Sequence, residues 1–120
     1  MFKGIKSKIR SKTASKIYTS SISMFSLIKG NLEEGRFLDE DKLTMETTRL
    51  SFIRMKDNLS KIYRNDLKKR NDEAEAYDSL TAYCDKILES YVSSDSKQAI
   101  EYLEKIIEVN RLLLIQSSMM

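Results

Sequence analysis

The chain has 120 residues, with 21 Lys+Arg, 18 Asp+Glu, no His, no Pro, one Cys and three Gly. Without His there is no Ser–His or Cys–His nucleophile pair and no imidazole metal ligand. A single Cys excludes an intramolecular disulfide and a thiolate zinc site. The net charge of +3 hides four alternating blocks. Residues 1–32 carry seven basic residues and no acid, and 33–53 carry three basic and six acidic. Residues 54–70 carry seven basic and two acidic, and 71–120 carry four basic and ten acidic. Such blocks attract one another within a bundle, and the first can also engage an anionic partner.

The first apolar stripe is Phe2, Ile5 and Ile9, and a second, in a different phase, is Tyr18, Ile22, Phe25 and Ile28. The phase change predicts a bend or disorder near Thr13–Ser15, with residues 1–16 as a flexible basic arm. Gly30 and Asn31 are expected to stop this helix, followed by a loop over Asn31–Glu40. Ile17–Ile28 has no charge behind a basic leader, as a signal peptide would, but five of its twelve residues are Ser or Thr and no cleavage pattern follows. An acid-free start rich in Ser and Lys also has the composition of an organellar transit peptide. The densest apolar run, Leu112–Ile115, is far short of the ~20 residues that cross a bilayer. A lone Cys84 fits a reducing compartment, so a cytoplasmic location is expected.

A second helix is expected to start near Asp39 or Asp41, acting as N-caps, and to run to about Arg70. Its apolar face holds Met45, Phe52, Met55, Leu59, Ile62 and Tyr63, in a heptad pattern weakened by Thr48. Lys68, Lys69 and Arg70 would then sit at the negative end of its dipole. Asn71-Asp72-Glu73 reads as the start of a third helix, whose stripe Tyr77, Leu80, Cys84, Ile87 and Tyr91 is unbroken. Nothing at 70–72 forces a turn, so one long bent helix over 43–93 is a second reading, and that length would need a partner chain. Ser93–Ser96 closes the third helix and caps the next. The fourth, about Ser96–Gln116, has the seam Ala99, Leu103, Ile106, Asn110 and Leu113, widened by Ile100, Ile107 and Leu114. The tail 117–120 is expected to fray.

Together these elements predict an all-α bundle of three to four helices, one domain over 1–120, that self-associates. Asn110 in the middle of an apolar seam can pair across a two-fold axis, as buried Asn does in dimeric coiled coils. This makes Leu103, Ile106, Asn110 and Leu113 the candidate self-association seam; the alternative is a hydrogen bond within the chain or to water. The acidic group Asp72, Glu73, Glu75 and Asp78 lacks metal-site spacing and reads as an acidic helix start. Cys84 lies in a seam and reads as a small hydrophobe rather than a reactive thiol. Neither an enzyme nor a cofactor nor a small-molecule substrate is expected.

The candidate sites for an anionic partner are Lys3, Lys6, Lys8, Arg10, Lys12 and Lys16. To these is added a ridge of Arg54, Lys61 and Lys68 at seven-residue spacing, with Arg64 beside it. The leading expectation is a small non-enzymatic binding protein, of adaptor or inhibitor type, that contacts another protein and itself. The alternative is non-specific nucleic-acid binding through phosphates. The third is adsorption to an anionic membrane with Phe2, Ile5 and Ile9 inserted.

Overall fold

In the computed structural model the backbone is described for residues 2–118 and the side chains for Lys16 and residues 19–115. Four helices account for nearly all of it: α1 (Phe2–Glu33), α2 (Asp39–Ile62), α3 (Leu67–Ser93) and α4 (Ser96–Ser118). No strand occurs among the described residues. The arm expected over 1–16, the bend near 13–15 and the tail 117–120 fall largely on residues whose side chains lie outside those described.

The chain runs up, down, up and down. Across α2 and α3, Arg49 pairs with Asp85, and Lys56 pairs with Asp78 at 2.7 Å, the register of two antiparallel helices. Across α3 and α4, the Gln98 amide donates to Ser90 Oγ at 2.9 Å, and the rings of Tyr83 and Tyr102 lie 5.8 Å apart. Across α1 and α4, Lys29 meets Glu104 at 3.1 Å. The extensive interfaces are therefore α1 on α4, α4 on α3 and α3 on α2. A single core joins them, from Phe25, Ile28 and Leu32 of α1 to Met45, Phe52 and Leu59 of α2, and across to the stripes of α3 and α4. Burial of these stripes, not helix propensity, supplies most of the stability of such helices.

Each helix end has an identifiable cause, and several differ from the sequence expectation. Gly30 does not stop α1; it lies inside the helix with open space around its Cα. The stop is Gly35, at φ 74°, a left-handed conformation that favours Gly. Its N–H donates to the Leu32 carbonyl at 3.0 Å, and the Arg36 N–H donates to the Asn31 carbonyl at 2.8 Å. This bond pair is a Schellman motif, which satisfies the last carbonyls of the helix. Gly35→Ala should cost about 1 kcal/mol through the left-handed backbone, read as a lower urea midpoint, while Gly30→Ala should not destabilise.

At α2 the expected N-caps Asp39 and Asp41 lie inside the first turn, and the cap position is Leu38, which makes no side-chain cap bond. Three acids, Asp39, Glu40 and Asp41, face the positive end of the dipole instead. The second helix does not reach Arg70, and the long helix over 43–93 does not form. The break falls at 63–66, where Tyr63 closes α2 with its N–H on the Leu59 carbonyl at 2.8 Å. Asp66 then caps α3 by accepting from the Lys69 N–H at 3.0 Å. Folding back here lays Phe52 against Tyr77, with ring centroids 6.4 Å apart. A continuous helix would leave both stripes in water.

At the α3–α4 corner Ser94 takes the left-handed conformation at φ 57°. Asp95 caps α4 by accepting from the Gln98 N–H at 3.1 Å.

Candidate interaction surface

The turn between α2 and α3 carries cations that meet no carboxylate within 4 Å among the described residues. It is held rigidly. The Tyr63 hydroxyl donates to Glu73 Oε1 at 2.7 Å, and Lys69 Nζ stands 5.6 Å from the centre of the Tyr63 ring. With the Asp66 cap, these contacts fix the corner that carries Lys61 at the end of α2, Arg64 in the turn and Lys68 at the start of α3. All three side chains are exposed. Among the described residues none has a carboxylate within 4 Å, whereas Lys29, Arg49 and Lys56 each pair with an acid on a neighbouring helix. Two aliphatic side chains flank them in water: Ile62 is 42% exposed and Leu67 is 58% exposed.

The expected ridge of Arg54, Lys61 and Lys68 on one helix does not exist, because the break at 63–66 divides it. Arg54 is exposed on α2 more than a turn from the corner, while Lys61, Arg64 and Lys68 are exposed at the end of α2, in the turn and at the start of α3. The break also reverses the electrostatic setting of Lys68, Lys69 and Arg70. At the end of a helix running to Arg70 they would suit its dipole. In the structure they begin α3, whose first turn has no acid. Cations there oppose the positive end of the dipole, at about 0.3–1 kcal/mol each when exposed. The signal that could have revealed this was Asn65-Asp66, residue types that initiate turns and caps.

Of the N-terminal candidates, Lys16 is exposed on α1. The side chains of Lys3, Lys6, Lys8, Arg10 and Lys12 lie outside the described residues. The end of α1 and the start of α4 meet at Lys29–Glu104, and residues of both helices, from Ser26 to Glu33 and from Glu104 to Arg111, line one shallow cavity.

Leu103, Ile106, Asn110 and Leu113 face inward and are at most 4% exposed. The chain's own helices fill this seam, and a second chain would reach it only by displacing one of them. The Asn110 amide donates back to the Ile106 carbonyl at 2.9 Å, so the bond within the chain is the one formed. Its Oδ1 is buried without a hydrogen-bond partner among the described residues. Cys84 is fully buried, and desolvation chiefly pushes its thiol up to about 12. A thiol in that state is not a nucleophile at neutral pH.

In the acidic group, Asp78 is taken by Lys56 and Glu73 by Tyr63. Among the described residues no cluster of His, Cys, Asp or Glu has the arrangement of a metal site. No helix of the described residues is long and apolar enough to cross a membrane. Comparison with protein-family models, with curated proteins and with solved structures finds no match to this chain.

Proposed function

We propose that this is a small non-enzymatic binding protein, of adaptor or inhibitor type, that engages an acidic protein surface through the α2–α3 corner. The observation that carries the reading is the corner itself. Lys61, Arg64 and Lys68, with no carboxylate within 4 Å among the described residues, share one short turn region with the exposed aliphatic side chains Ile62 and Leu67. Its charge is kept at a cost, because Lys68–Arg70 oppose the α3 dipole. Phosphates alone would satisfy the cations and leave the aliphatic pair in water. A protein partner with acidic residues around a shallow apolar pocket satisfies both, with the charges steering encounter and the aliphatic pair anchoring it. A reducing cytoplasmic setting suits the free buried thiol of Cys84.

The second reading, nucleic-acid binding, is favoured by the same unpaired cations, and two variants separate the two. Affinity capture from source-cell lysate is compared for the wild type, Lys61→Glu/Lys68→Glu and Ile62→Ser/Leu67→Ser. A protein partner requires one acidic protein to be retained by the wild type and lost from both variants. A duplex-DNA or RNA gel shift that is abolished by the charge variant but kept by Ile62→Ser/Leu67→Ser would transfer the assignment to nucleic acid. Lys68→Glu supplies an independent check, since it should raise the urea midpoint by the equivalent of about 0.5 kcal/mol while weakening binding. A residue with only a structural role would not move those two readouts in opposite directions.

A further inference from the structure

We infer that the groove between the first half of α3 and the second half of α4 receives the basic N-terminal segment, residues 2–12, of a second copy of this chain. The groove has a volume of about 330 Å³, with Ala76, Tyr83, Val109 and Leu112 on its apolar side and Asp72 and Glu75 on its rim. Leu112 is 54% exposed there, beside the buried stripe residue Leu113. Asp72 and Glu75 are exposed and, among the described residues, have no cation within 4 Å. An occupant must therefore offer apolar side chains for the floor and cations for the rim, without acids that the rim would repel.

Residues 2–12 of the chain meet each requirement. They carry Lys3, Lys6, Lys8, Arg10 and Lys12 with no acid, and Phe2, Ile5 and Ile9 recur at helical spacing. The chain cannot readily supply them to its own groove. α1 packs against α4 through Lys29–Glu104, on the flank of α4 away from α3. Because α1 and α4 are antiparallel, its N-terminal half is directed toward the end of the bundle at which the groove lies, but on the wrong side of α4. A second copy related by a two-fold axis at that end places its segment in the first copy's groove and receives the first copy's segment in return. Such an isologous contact closes at two chains and joins the acid-free first block to the acidic last block of the sequence. The groove adjoins the α2–α3 corner, since Glu73 lines it and accepts from the Tyr63 hydroxyl, but Lys61, Arg64 and Lys68 do not line it.

A charge swap in the full-length chain tests it. The segment variant is Lys6→Glu/Lys8→Glu/Arg10→Glu, and the groove variant is Asp72→Lys/Glu75→Lys. Light scattering at about 100 μM protein and about 50 mM salt should give the wild type twice the 14.0 kDa chain mass, falling toward one chain as salt screens the contact. Each variant alone should be monomeric with unchanged helical circular dichroism. An equimolar mixture should return to the double mass, since each chain then finds its complement in the other. A monomeric wild type, a groove variant that stays dimeric, or a mixture that stays monomeric would each overturn the proposal. The segment variant leaves the corner untouched, so capture of an outside partner by that variant reports on the corner separately.

Discussion

Leu103→Ala should lower the unfolding free energy by about 3–5 kcal/mol, the range for a leucine lost from a site that cannot collapse. Leu103 is fully buried at the centre of the α4 seam, beside Ile106 and Ala99, which are also fully buried. Natural domains have about 5–15 kcal/mol in total, so at least about a fifth of the stability depends on this side chain. Urea unfolding followed by circular dichroism measures the loss. Repeating the melts over a hundredfold range of protein concentration adds a second readout. The seam is packed by the chain's own α1 and α3, so the difference between Leu103→Ala and wild type should not depend on concentration. A loss that shrinks steadily with dilution would mean that the seam is covered by another chain, as the sequence pattern around Asn110 suggested.

The second large effect is alkaline unfolding. In the fold the Cys84 thiol holds its proton up to about 12, chiefly because burial disfavours the thiolate, with Asp85 adding to the effect. In the unfolded chain a thiol ionises near 8.5–9. The folded value is raised, so the stabilisation is fully present below about pH 8.5 and is lost as pH climbs toward 12. Three pH units correspond to roughly 4 kcal/mol. Tyr91 acts in the same sense at the upper end of the range, since burial and Asp41 push its hydroxyl from 10.0 up to about 12. Urea midpoints at half-unit steps from pH 8 to 11.5 should fall progressively. Cys84→Ala will have a lower midpoint at pH 8 because of the cavity, but a shallower fall between pH 9 and 10. Equal slopes for the two proteins across that interval would show that the thiol is not the titrating group. Below pH 8.5, thiol reagents should label native Cys84 only through opening of the fold.

Helix identity and helix faces were legible in the chain as written. The stripe Tyr77, Leu80, Cys84, Ile87 and Tyr91 and the stripe Ala99, Leu103, Ile106, Asn110 and Leu113 are buried throughout. Periodicity reports them because the apolar repeat is local information about which side of a helix leaves water. The ends of helices were harder. Gly30 and Gly35 look alike in sequence, yet only Gly35 takes a positive φ and carries the bonds that close α1. The corner at 63–66 has neither Gly nor Pro, and an Asp66 cap contributes only about 1 kcal/mol. That is too little to break a helix whose flanking stripes nearly share a face. What breaks it is a non-local gain, the burial of Met45, Phe52 and Leu59 once α3 turns back along α2.

The same division holds for the candidate surfaces. Charge blocks can be counted along the chain, but whether a charge is neutralised depends on which helix lies opposite. Lys56 finds Asp78 and Lys29 finds Glu104 through packing, while Lys61, Arg64 and Lys68, around the α2–α3 turn, meet no carboxylate among the described residues. Sequence alone determined an all-helical chain, the apolar stripe of its helices and a basic first quarter, because these follow from residue type and spacing. Tertiary structure decided where the chain turns back, that the Asn110 seam faces inward, and which cations meet a carboxylate among the described residues. Each of those depends on side chains distant in sequence meeting, and that is an energy of packing rather than of local preference.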